Sequence, residues 1–299
     1  MRWDKVTLVG VGLLGGSLGL ALRRRRLAGQ VVGLVRREAS IAECLRSGAA
    51  DSATLDLAGA VAGADLVVLG TPLGQMEPLV RAMQPHLRAG TRVTDVGSVK
   101  GPLVAALEPR CAEVGACFVG SHPMAGSERT GVAHSRADLF EHAVCVVTPT
   151  EHSDPGAVAQ VEALWRSVGG RVCRMAAERH DELVSRSSHL PHMMAASLVQ
   201  VALGAADGTA EESLCATGFR DATRVASGSP EMWRDIALMN RLHLGRALES
   251  IAARVTTLKA ALSAGDAAAL EEYFREARDL RDAWLEGFEG PGKMAPSGE

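Results

Sequence analysis

The sequence lacks the cysteine patterns that mark disulfide frameworks and zinc sites. Its six cysteines are scattered, with no C-x-x-C pair and no cysteine–histidine cluster at the spacing of zinc ligands. This pattern favours a reducing compartment, and we expect no metal site. The first residues also lack a signal-peptide pattern, because they run directly into a β-branched segment at Lys5–Val9. We therefore expect a cytoplasmic protein.

A large excess of charge of one sign is missing as well. The formal net charge is -3 at pH 7, which gives no global attraction to nucleic acid or to an anionic membrane. No apolar run approaches the roughly 20 residues that a membrane span needs. We expect a small molecule as the partner, with no nucleic acid and no membrane.

What is present is the composition of an ordinary globular protein of 299 residues, with 47% hydrophobic and 22% charged residues. That length suits two domains. Through the first 176 residues, short β-branched runs alternate with stretches of helical spacing, which predicts a doubly wound parallel sheet, with an antiparallel edge late in the chain as an open alternative. The predicted strands are 5–9, 31–35, 66–69, 90–95, 117–120, 143–148 and 171–175, and the predicted helices are 13–22, 41–47, 79–87, 102–114 and 155–168.

Beyond Met175 the strand pattern stops and helical spacing continues to the end. Residues 178–206 are predicted as one long helix, interrupted in pattern only by Pro191. From Leu244 to Leu262 the apolar residues step by about 3.5, which is typical of a seam for a partner helix, and Asp266 is predicted to cap a further helix. We therefore expect an α/β Rossmann domain at 1–176 and an all-α domain at 177–299 that forms a homodimer.

A glycine-rich segment joins the first predicted strand to the first predicted helix. Gly10-Val-Gly12-Leu-Leu-Gly15 is a G-x-G-x-x-G in the strand–turn–helix context of dinucleotide binding. Gly10 permits the turn, Gly12 lets the backbone approach a pyrophosphate, and Gly15 lets the helix pack on the strand. The predicted cofactor-binding residues are Gly10, Gly12, Leu13, Leu14, Gly15, Arg36, Arg37, Thr71 and Pro72.

The end of the second predicted strand bears on the choice of cofactor. A carboxylate that binds the adenosine ribose normally stands there, but this sequence has Val35, Arg36 and Arg37. Two arginines suit a 2′-phosphate. We therefore favour NADP over NAD, although Glu38 follows directly and arginine can also stack on adenine.

Two polar segments follow strands of the predicted sheet, at the edge where ligands bind in this architecture. They are Asp95-Val-Gly-Ser98-Val-Lys100 and Gly120-Ser-His122-Pro-Met-Ala-Gly-Ser-Glu128. A histidine in a glycine- and serine-rich loop is tethered yet reachable, which suits a general base better than a core residue. We expect His122 to be that base, with an acid limb near pH 6.5; the alternative is a surface-loop histidine.

Histidines and arginines also lie among apolar residues in the helical half. Ser187-Ser188-His189-Leu-Pro191-His192 and Gly218-Phe-Arg220-Asp221-Ala-Thr-Arg224 suit the recognition of an anion. Salt bridges on a helix surface explain the same spacing equally well. The spacing by itself leaves the substrate unnamed.

Taken in order, these segments resemble a known family. The segments 12–18, 95–100, 120–128, 188–192 and 218–224, with Met232-Trp233-Arg-Asp, are similar to those of the prephenate/arogenate dehydrogenases of tyrosine biosynthesis along nearly the whole chain. The histidine segment and the Gly-Phe-Arg-Asp segment are specific, whereas the glycine loop is shared by many dehydrogenases. With no mutase segment before the Rossmann half of this sequence, we expect the monofunctional form.

The resemblance implies an oxidative decarboxylation, in which a hydride leaves C4 of the cyclohexadienol for the nicotinamide as carbon dioxide departs. It implies that His122 accepts the C4 hydroxyl proton and that Ser98 orients that hydroxyl and the imidazole. Arg224 would hold a substrate carboxylate, and Ser188 and His192 would complete the polar pocket. Four further residues would line or gate the mouth of the pocket: Glu128, His180, Asp221 and Trp233.

The resemblance leaves the substrate open between prephenate, which has a keto side chain, and arogenate, which has an amino group. We favour prephenate because His192 occupies the second histidine position. Two other classes remain as alternatives. A β-hydroxyacid dehydrogenase or imine reductase would place its catalytic donor in the helical half, and a cofactor-sensing module would bind the cofactor without turnover.

Overall fold

The computed structural model describes residues 2–126, 129–204 and 214–289. It forms two compact units, Met1–Arg241 and Leu242–Glu299. Within the described ranges, no helix has both the length and the apolar character needed to cross a bilayer. The predicted domain boundary at residue 176 lies inside the first unit and stays a prediction.

The described part of the first unit is built on one eight-stranded sheet in the order β3-β2-β1-β4-β5-β6-β7-β8. All neighbouring strands are parallel except β6 and β7, which are antiparallel. This order confirms the predicted Rossmann-type sheet and places the one reversal between β6 and β7. The strands are β1 Trp3–Val9, β2 Ala28–Leu34, β3 Ser52–Thr54, β4 Leu66–Leu69, β5 Arg92–Asp95, β6 Cys117–Pro123, β7 Val144–Thr148 and β8 Arg171–Arg174.

Twelve α-helices lie in the described ranges. They are α1 Leu13–Arg24, α2 Glu38–Arg46, α3 Leu57–Val61, α4 Leu73–Met83, α5 Gly101–Ala112, α6 Pro155–Ser167, α7 Ala177–Val184, α8 Leu190–Leu203, α9 Thr217–Thr223, α10 Pro230–Met239, α11 Arg241–Ala264 and α12 Ala267–Glu289. Short 3₁₀ turns lie at Gln84–His86, Val132–His134 and Arg224–Ser227.

Three elements differ from the sequence prediction. The strand Ser52–Thr54 and the helix Leu57–Val61 were not predicted, because three or five residues are too few for a periodic pattern. Helix α4 begins six residues before the predicted start at Leu79, since Pro78 lies inside the helix rather than before it. Proline is a common helix boundary but not an obligatory one.

The predicted long helix at 178–206 is divided into three parts. Helix α7 ends at Val184, a π-helical turn spans Ser185–His189, and α8 begins at Leu190. Pro191 has no backbone N–H to donate to the preceding turn, which explains why the regular helix is interrupted there. Single π turns of this kind are frequent at functional sites. Residues 205 and 206 lie outside the described ranges.

The core of the sheet divides into two apolar clusters. Val6 and Leu8 of β1 belong to one cluster, and Val9 belongs to the other. Strand β4, Leu66–Leu69, is buried throughout and contributes alternate residues to each cluster. A strand buried on both faces is what a parallel sheet covered by helices requires.

The described part of the second unit contains α11, from Leu242 onward, and α12, which a tight turn joins. Gly265 has a φ of 64°, which ends α11 in the left-handed region. The Asp266 carboxylate accepts a hydrogen bond from the backbone N–H of Ala269 at 3.0 Å, which confirms the predicted cap. An ion pair between Arg254 and Glu276 at 3.3 Å links the two helices.

Candidate functional site

The glycine loop lies where the strand order of the sheet changes direction. Strand β1 pairs with β2 on one side and with β4 on the other, so the loops that follow β1 and β4 meet at the sheet edge. Gly10 has a φ of 92°, a conformation that favours glycine. A crevice at such a point is the usual dinucleotide site of this architecture.

The loop has space for a pyrophosphate. A Cβ on Gly15 would lie 2.2 Å from the carbonyl oxygen of Gly10, so the helix packs directly on the turn. At Gly12 a Cβ would meet no described atom within 4 Å. Gly12 is the N-cap residue of α1, and the backbone N–H groups of the first helical turn have no partner within the helix. The hydroxyl of Thr71, after β4, is buried without a hydrogen-bond partner in the described structure. Open space, free N–H groups and an unpaired hydroxyl together fit a bound dinucleotide phosphate.

A cavity of about 280 Å³ contains most of the predicted cofactor residues. Gly10 and Gly12 line it at the glycine loop, and Thr71 and Pro72 line it after β4. Arg36 and Arg37 line it after β2 and are exposed. Leu13 and Leu14 are half-buried at the start of α1. Sequence reasoning missed Gly131 and Val132, which also line this cavity, because they lie in a loop far from any strand end.

His122 lies within β6, not in the loop that the sequence predicted. It is 8% exposed, and its Nδ1 atom is 2.8 Å from Nε2 of His180. Nδ1 of His180 is in turn 2.8 Å from Oδ1 of Asp181. These three side chains form a continuous chain of hydrogen bonds from α7 to the end of β6.

The Asp181 carboxylate is fixed by the first turn of α5. Its Oδ1 accepts from the backbone N–H of Lys100 at 2.7 Å, and its Oδ2 accepts from that of Gly101 at 2.7 Å. Because both oxygens accept, the Nδ1 atom of His180 must be the donor to Oδ1. The carboxylate therefore both caps a helix and orients His180.

His122 is surrounded by groups that disfavour its protonation. Burial is the largest reason that its pKa lies well below 6.5. Electrostatic interactions with His180, Lys100 and His189 lower that pKa further. A neutral imidazole can accept a proton at neutral pH.

A buried ion pair supports the strand that carries His122. Lys100 and Asp95 pair with no solvent exposure on either side chain. Asp95 also accepts from the backbone N–H of Ser121 at 3.0 Å, and Lys100 donates to the Ser121 carbonyl oxygen at 2.9 Å. Burial lowers the pKa of Lys100, and the carboxylate of Asp95 opposes that effect. The pair thus holds the residue before His122 from both sides.

A second buried histidine, His189, lies in the π-helical turn. The side-chain amide of Asn240 donates to the backbone oxygen of Asp181 at 2.9 Å and lies 3.1 Å from Nδ1 of His189. Because the amide nitrogen is a donor, Nδ1 of His189 accepts and its Nε2 carries the hydrogen. Burial lowers the pKa of His189 to about 4. His189 is therefore a neutral ring with its hydrogen on Nε2, and it lies near the neutral ring of His122.

Four predicted substrate residues lie near one another: Ser188 in the π-helical turn, His192 in α8, Arg224 in the turn before α10 and Trp233 in α10. Nδ1 of His192 is 2.9 Å from the carbonyl oxygen of Ser188, and the rings of His192 and Trp233 are 3.8 Å apart. Burial lowers the pKa of His192, and the positive charge of Arg224 lowers it further. Arg224 is exposed. A cation and a hydrogen-bonding histidine beside an aromatic ring form a place for an anionic ring compound.

Other predicted site residues lie elsewhere. His180 is 1% exposed and lies behind His122 instead of at the mouth of a pocket. Asp221 is exposed and 3.9 Å from Arg220. Ser98 is half-buried after β5, and within the described ranges no hydrogen bond joins its hydroxyl to His122. Glu128 lies outside the described residues.

Sequence reasoning also missed Asp181 and Asn240. Asp181 was one of several acids on a predicted amphipathic helix, and Asn240 ends α10 without a motif around it. Both are buried. Their partners are 80 and 51 residues away along the chain, so no local pattern could reveal them.

Two family models and a curated relative match most of the chain. Residues 18–174 match the nucleotide-binding domain of prephenate dehydrogenase, and residues 176–276 match its dimerization domain. The prephenate dehydrogenase of Bacillus subtilis is 33% identical over 288 residues, which cover 93% of this chain and 76% of that protein.

Two solved structures are similar over nearly all of both chains. The prephenate dehydrogenase of A. aeolicus, in complex with hydroxyphenyl propionate and NAD+, has a TM-score of 0.88 and 32% identity, covering 95% of this chain and 99% of that one. The arogenate dehydrogenase of Synechocystis has a TM-score of 0.76 and 31% identity, covering 94% and 99%.

These matches confirm the predicted fold class, the predicted homodimer and the use of a nicotinamide dinucleotide, NAD or NADP. The two family models together span residues 18–276 with only residue 175 between them. The chain therefore belongs to the prephenate dehydrogenase family of oxidoreductases.

Proposed function

We propose that this protein oxidises and decarboxylates prephenate to 4-hydroxyphenylpyruvate, with His122 as the general base. The observation that carries the proposal is the buried imidazole at the end of β6, whose pKa lies well below 6.5. Strand β6 ends at the same edge of the sheet as β1, which the glycine loop follows. A base held neutral by burial can accept a proton at physiological pH. The close similarity to a prephenate dehydrogenase supports the choice of substrate.

The reaction transfers a hydride and breaks one carbon–carbon bond. When bound, the nicotinamide accepts the hydride that leaves C4. His122 takes the C4 hydroxyl proton at Nε2 as that hydride departs, and Ser98 orients the hydroxyl. The bonding electrons of the departing carboxylate enter the ring, carbon dioxide leaves, and His122 returns the proton to the ring oxygen. Aromatisation drives this step, so the protein acts mainly by positioning.

Substrate binding is assigned to the residues around α8. Arg224 holds a substrate carboxylate, and Ser188 and His192 complete the polar pocket, with the Trp233 ring stacked on His192 as its wall. Asp221 and Glu128 act at the mouth. We assign these roles to a substrate domain at 177–299, after a Rossmann domain at 1–176, in a cytoplasmic enzyme.

We further propose that the protein prefers NADP. Arg36 and Arg37 line the cofactor cavity and are exposed, and Val35 stands where a ribose-binding carboxylate would exclude a 2′-phosphate. Arg36→Ala should therefore raise the KM for NADP and leave the KM for NAD nearly unchanged. A preference of tenfold or more for NAD in kcat/KM would overturn this assignment.

Arogenate is the second candidate substrate, because a solved arogenate dehydrogenase is similar over 94% of this chain. The two substrates differ only in a keto or an amino group on the side chain. Steady-state assays with each substrate and each cofactor decide between them. A kcat/KM that is higher with arogenate would reassign the substrate without changing the role of His122.

The role of His122 is tested by His122→Asn. Asparagine keeps a hydrogen bond to the substrate but cannot accept a proton, so kcat should fall on the order of 10²-fold. The Kd for the cofactor should not change. Arg224→Ala is the matched contrast, because loss of a carboxylate contact should act mainly on KM. Near-normal kcat in His122→Asn would show that the base is another residue, with His189 or His192 tested next.

A further inference from the structure

The two residues behind His122 have no role in the reaction as described so far. His180 and Asp181 begin the second turn of α7, and both side chains are buried. They are joined to each other and to His122 by hydrogen bonds of 2.8 Å. Packing alone does not call for a histidine and a carboxylate here, since both are costly to bury.

The direction of each hydrogen bond follows from the Asp181 carboxylate. It accepts from two backbone N–H groups and can only accept from His180, so the hydrogen of His180 is on Nδ1. The Nε2 atom of a neutral His180 then carries a lone pair and accepts from Nδ1 of His122. The remaining ring nitrogen of His122, Nε2, is left with the lone pair.

We propose that His180 and Asp181 are positioning residues that hold His122 in the tautomer whose Nε2 atom is the proton acceptor. Without them, either ring nitrogen of His122 could carry the hydrogen, and a hydrogen on Nε2 would block the base. The inference rests on the proposed role of His122 as the base. It explains why Nε2 of His122 is free to accept a proton before the substrate binds.

The same chain of bonds stabilises His122 after it takes the proton. The imidazolium would then donate from Nδ1 to His180, and the negative charge of Asp181 lies one residue further along. The other charged or titratable groups near His122 are Lys100, which is paired with Asp95, and His189. His180, Lys100 and His189 all lower the pKa of His122, and the carboxylate of Asp181 is the negative group at the far end of the chain of hydrogen bonds.

Two substitutions of His180 separate this role from packing. In His180→Gln the side-chain oxygen can reach the place of Nε2 and accept from His122, whereas His180→Leu fills the space without an acceptor. We expect His180→Leu to lower kcat by about tenfold or more, within the roughly 10²- to 10⁴-fold contribution of a general base. His180→Gln should recover most of that loss, with KM values close to wild type for both variants.

A double-mutant cycle shows whether His180 acts through His122. Adding His180→Leu to His122→Asn should cause little further loss of kcat, because the base is already absent. If His122→Asn shows the expected loss of kcat and the two losses multiply, His180 acts by another route and this inference is wrong. If His122→Asn keeps a near-normal kcat, the proposed role of His122 as the base fails, and this inference fails with it.

Nitrogen-15 NMR of histidine-labelled protein reports the tautomer directly, with His122→Asn used to assign the signals. We expect the wild-type protein to show a protonated Nδ1 and an unprotonated Nε2 at His122. His180→Leu should show a mixture of both tautomers in a folded protein. A hydrogen on Nε2 in the wild type, or unchanged kcat in His180→Leu, would overturn the inference.

Discussion

At the scale of single residues, the site consists of histidines that burial keeps neutral. His122 and His189 are almost fully buried, and desolvation is the largest cause of their low pKa values. Their hydrogen-bond partners give them opposite roles, since His122 presents a lone pair and His189 an N–H.

The low pKa of His122 predicts the pH dependence of catalysis. With His122 as the proposed base, the neutral imidazole is the active form, and a lowered pKa keeps it neutral at more acidic pH. The acid limb of kcat/KM should therefore lie below pH 6.5, in contrast to the value near 6.5 that a solvent-exposed loop histidine would give. A pH–rate profile of the free enzyme measures it, and an acid limb at or above 6.5 would contradict the buried position.

The pKa of His189 predicts a loss of stability in acid. Its folded pKa of about 4 is below the unfolded value of 6.5, so the unfolded chain binds the proton more tightly. Stability is present above pH 6.5 and is lost as the pH falls towards 4. Between pH 7 and 5 this one group should remove about 2 kcal/mol from the free energy of unfolding.

Urea denaturation at both pH values tests this linkage. Between pH 7 and 5 the free energy of unfolding of His189→Asn should fall by about 2 kcal/mol less than that of the wild type, whatever the stability of the variant at pH 7. His152→Gln is the matched control, because the side chain of His152 is 77% exposed. An equal pH dependence in wild type and His189→Asn would show that His189 is not buried as a neutral ring.

At the scale of elements, the loop after β1 combines two glycines with different tasks. Gly15 is required for packing, since a Cβ would lie 2.2 Å from the Gly10 carbonyl. Gly12 has open space around it and an ordinary φ of -91°. The fold therefore does not require a glycine at this position, and we expect its missing side chain to leave room for the pyrophosphate.

Alanine substitution should separate these two tasks. Gly12→Ala should keep the melting temperature of the free protein and raise the Kd for NAD or NADP, because the methyl group occupies the place of the pyrophosphate. Gly15→Ala should lower the melting temperature by several degrees, as steric overlap of this kind costs about 1–3 kcal/mol. Calorimetry and cofactor titration measure both. A destabilised Gly12→Ala with normal cofactor binding would reverse the assignment.

At the scale of the whole molecule, the second unit presents apolar side chains that a single chain leaves exposed. Phe274, Leu280 and Trp284 of α12 are 57% to 67% exposed, and at about 3.6 residues per turn they lie on one side of that helix. Residues 176–276 match a dimerization domain. We expect this side of α12 to be covered in the homodimer.

The double substitution Phe274→Glu and Leu280→Glu should produce a monomer at micromolar concentration, because burying two carboxylates in an apolar contact is strongly unfavourable. Glu272→Gln, on the opposite side of the helix, is the control and should stay dimeric. Sedimentation velocity measures both, and the melting temperature of the wild type should rise with concentration. A dimer that survives the double substitution would place the interface elsewhere.

Local sequence was sufficient for the α/β class, the glycine loop and the cap at Asp266, and it singled out His122 as a candidate site residue. Each of these depends on neighbours within a few positions, where periodicity, backbone freedom and hydrogen-bonding side chains act directly. The resemblance of six short segments to one family added the substrate class.

The tertiary structure decided how those residues work. His122 lies in a buried strand and not in the predicted loop. His180 lies behind His122 and not at the predicted mouth of a pocket. Asp181 and Asn240, which the sequence did not predict, are hydrogen-bonded to each other. Their contacts join positions 51 to 81 residues apart. Protonation state depends on burial and on such distant partners, and neither is encoded by spacing along the chain.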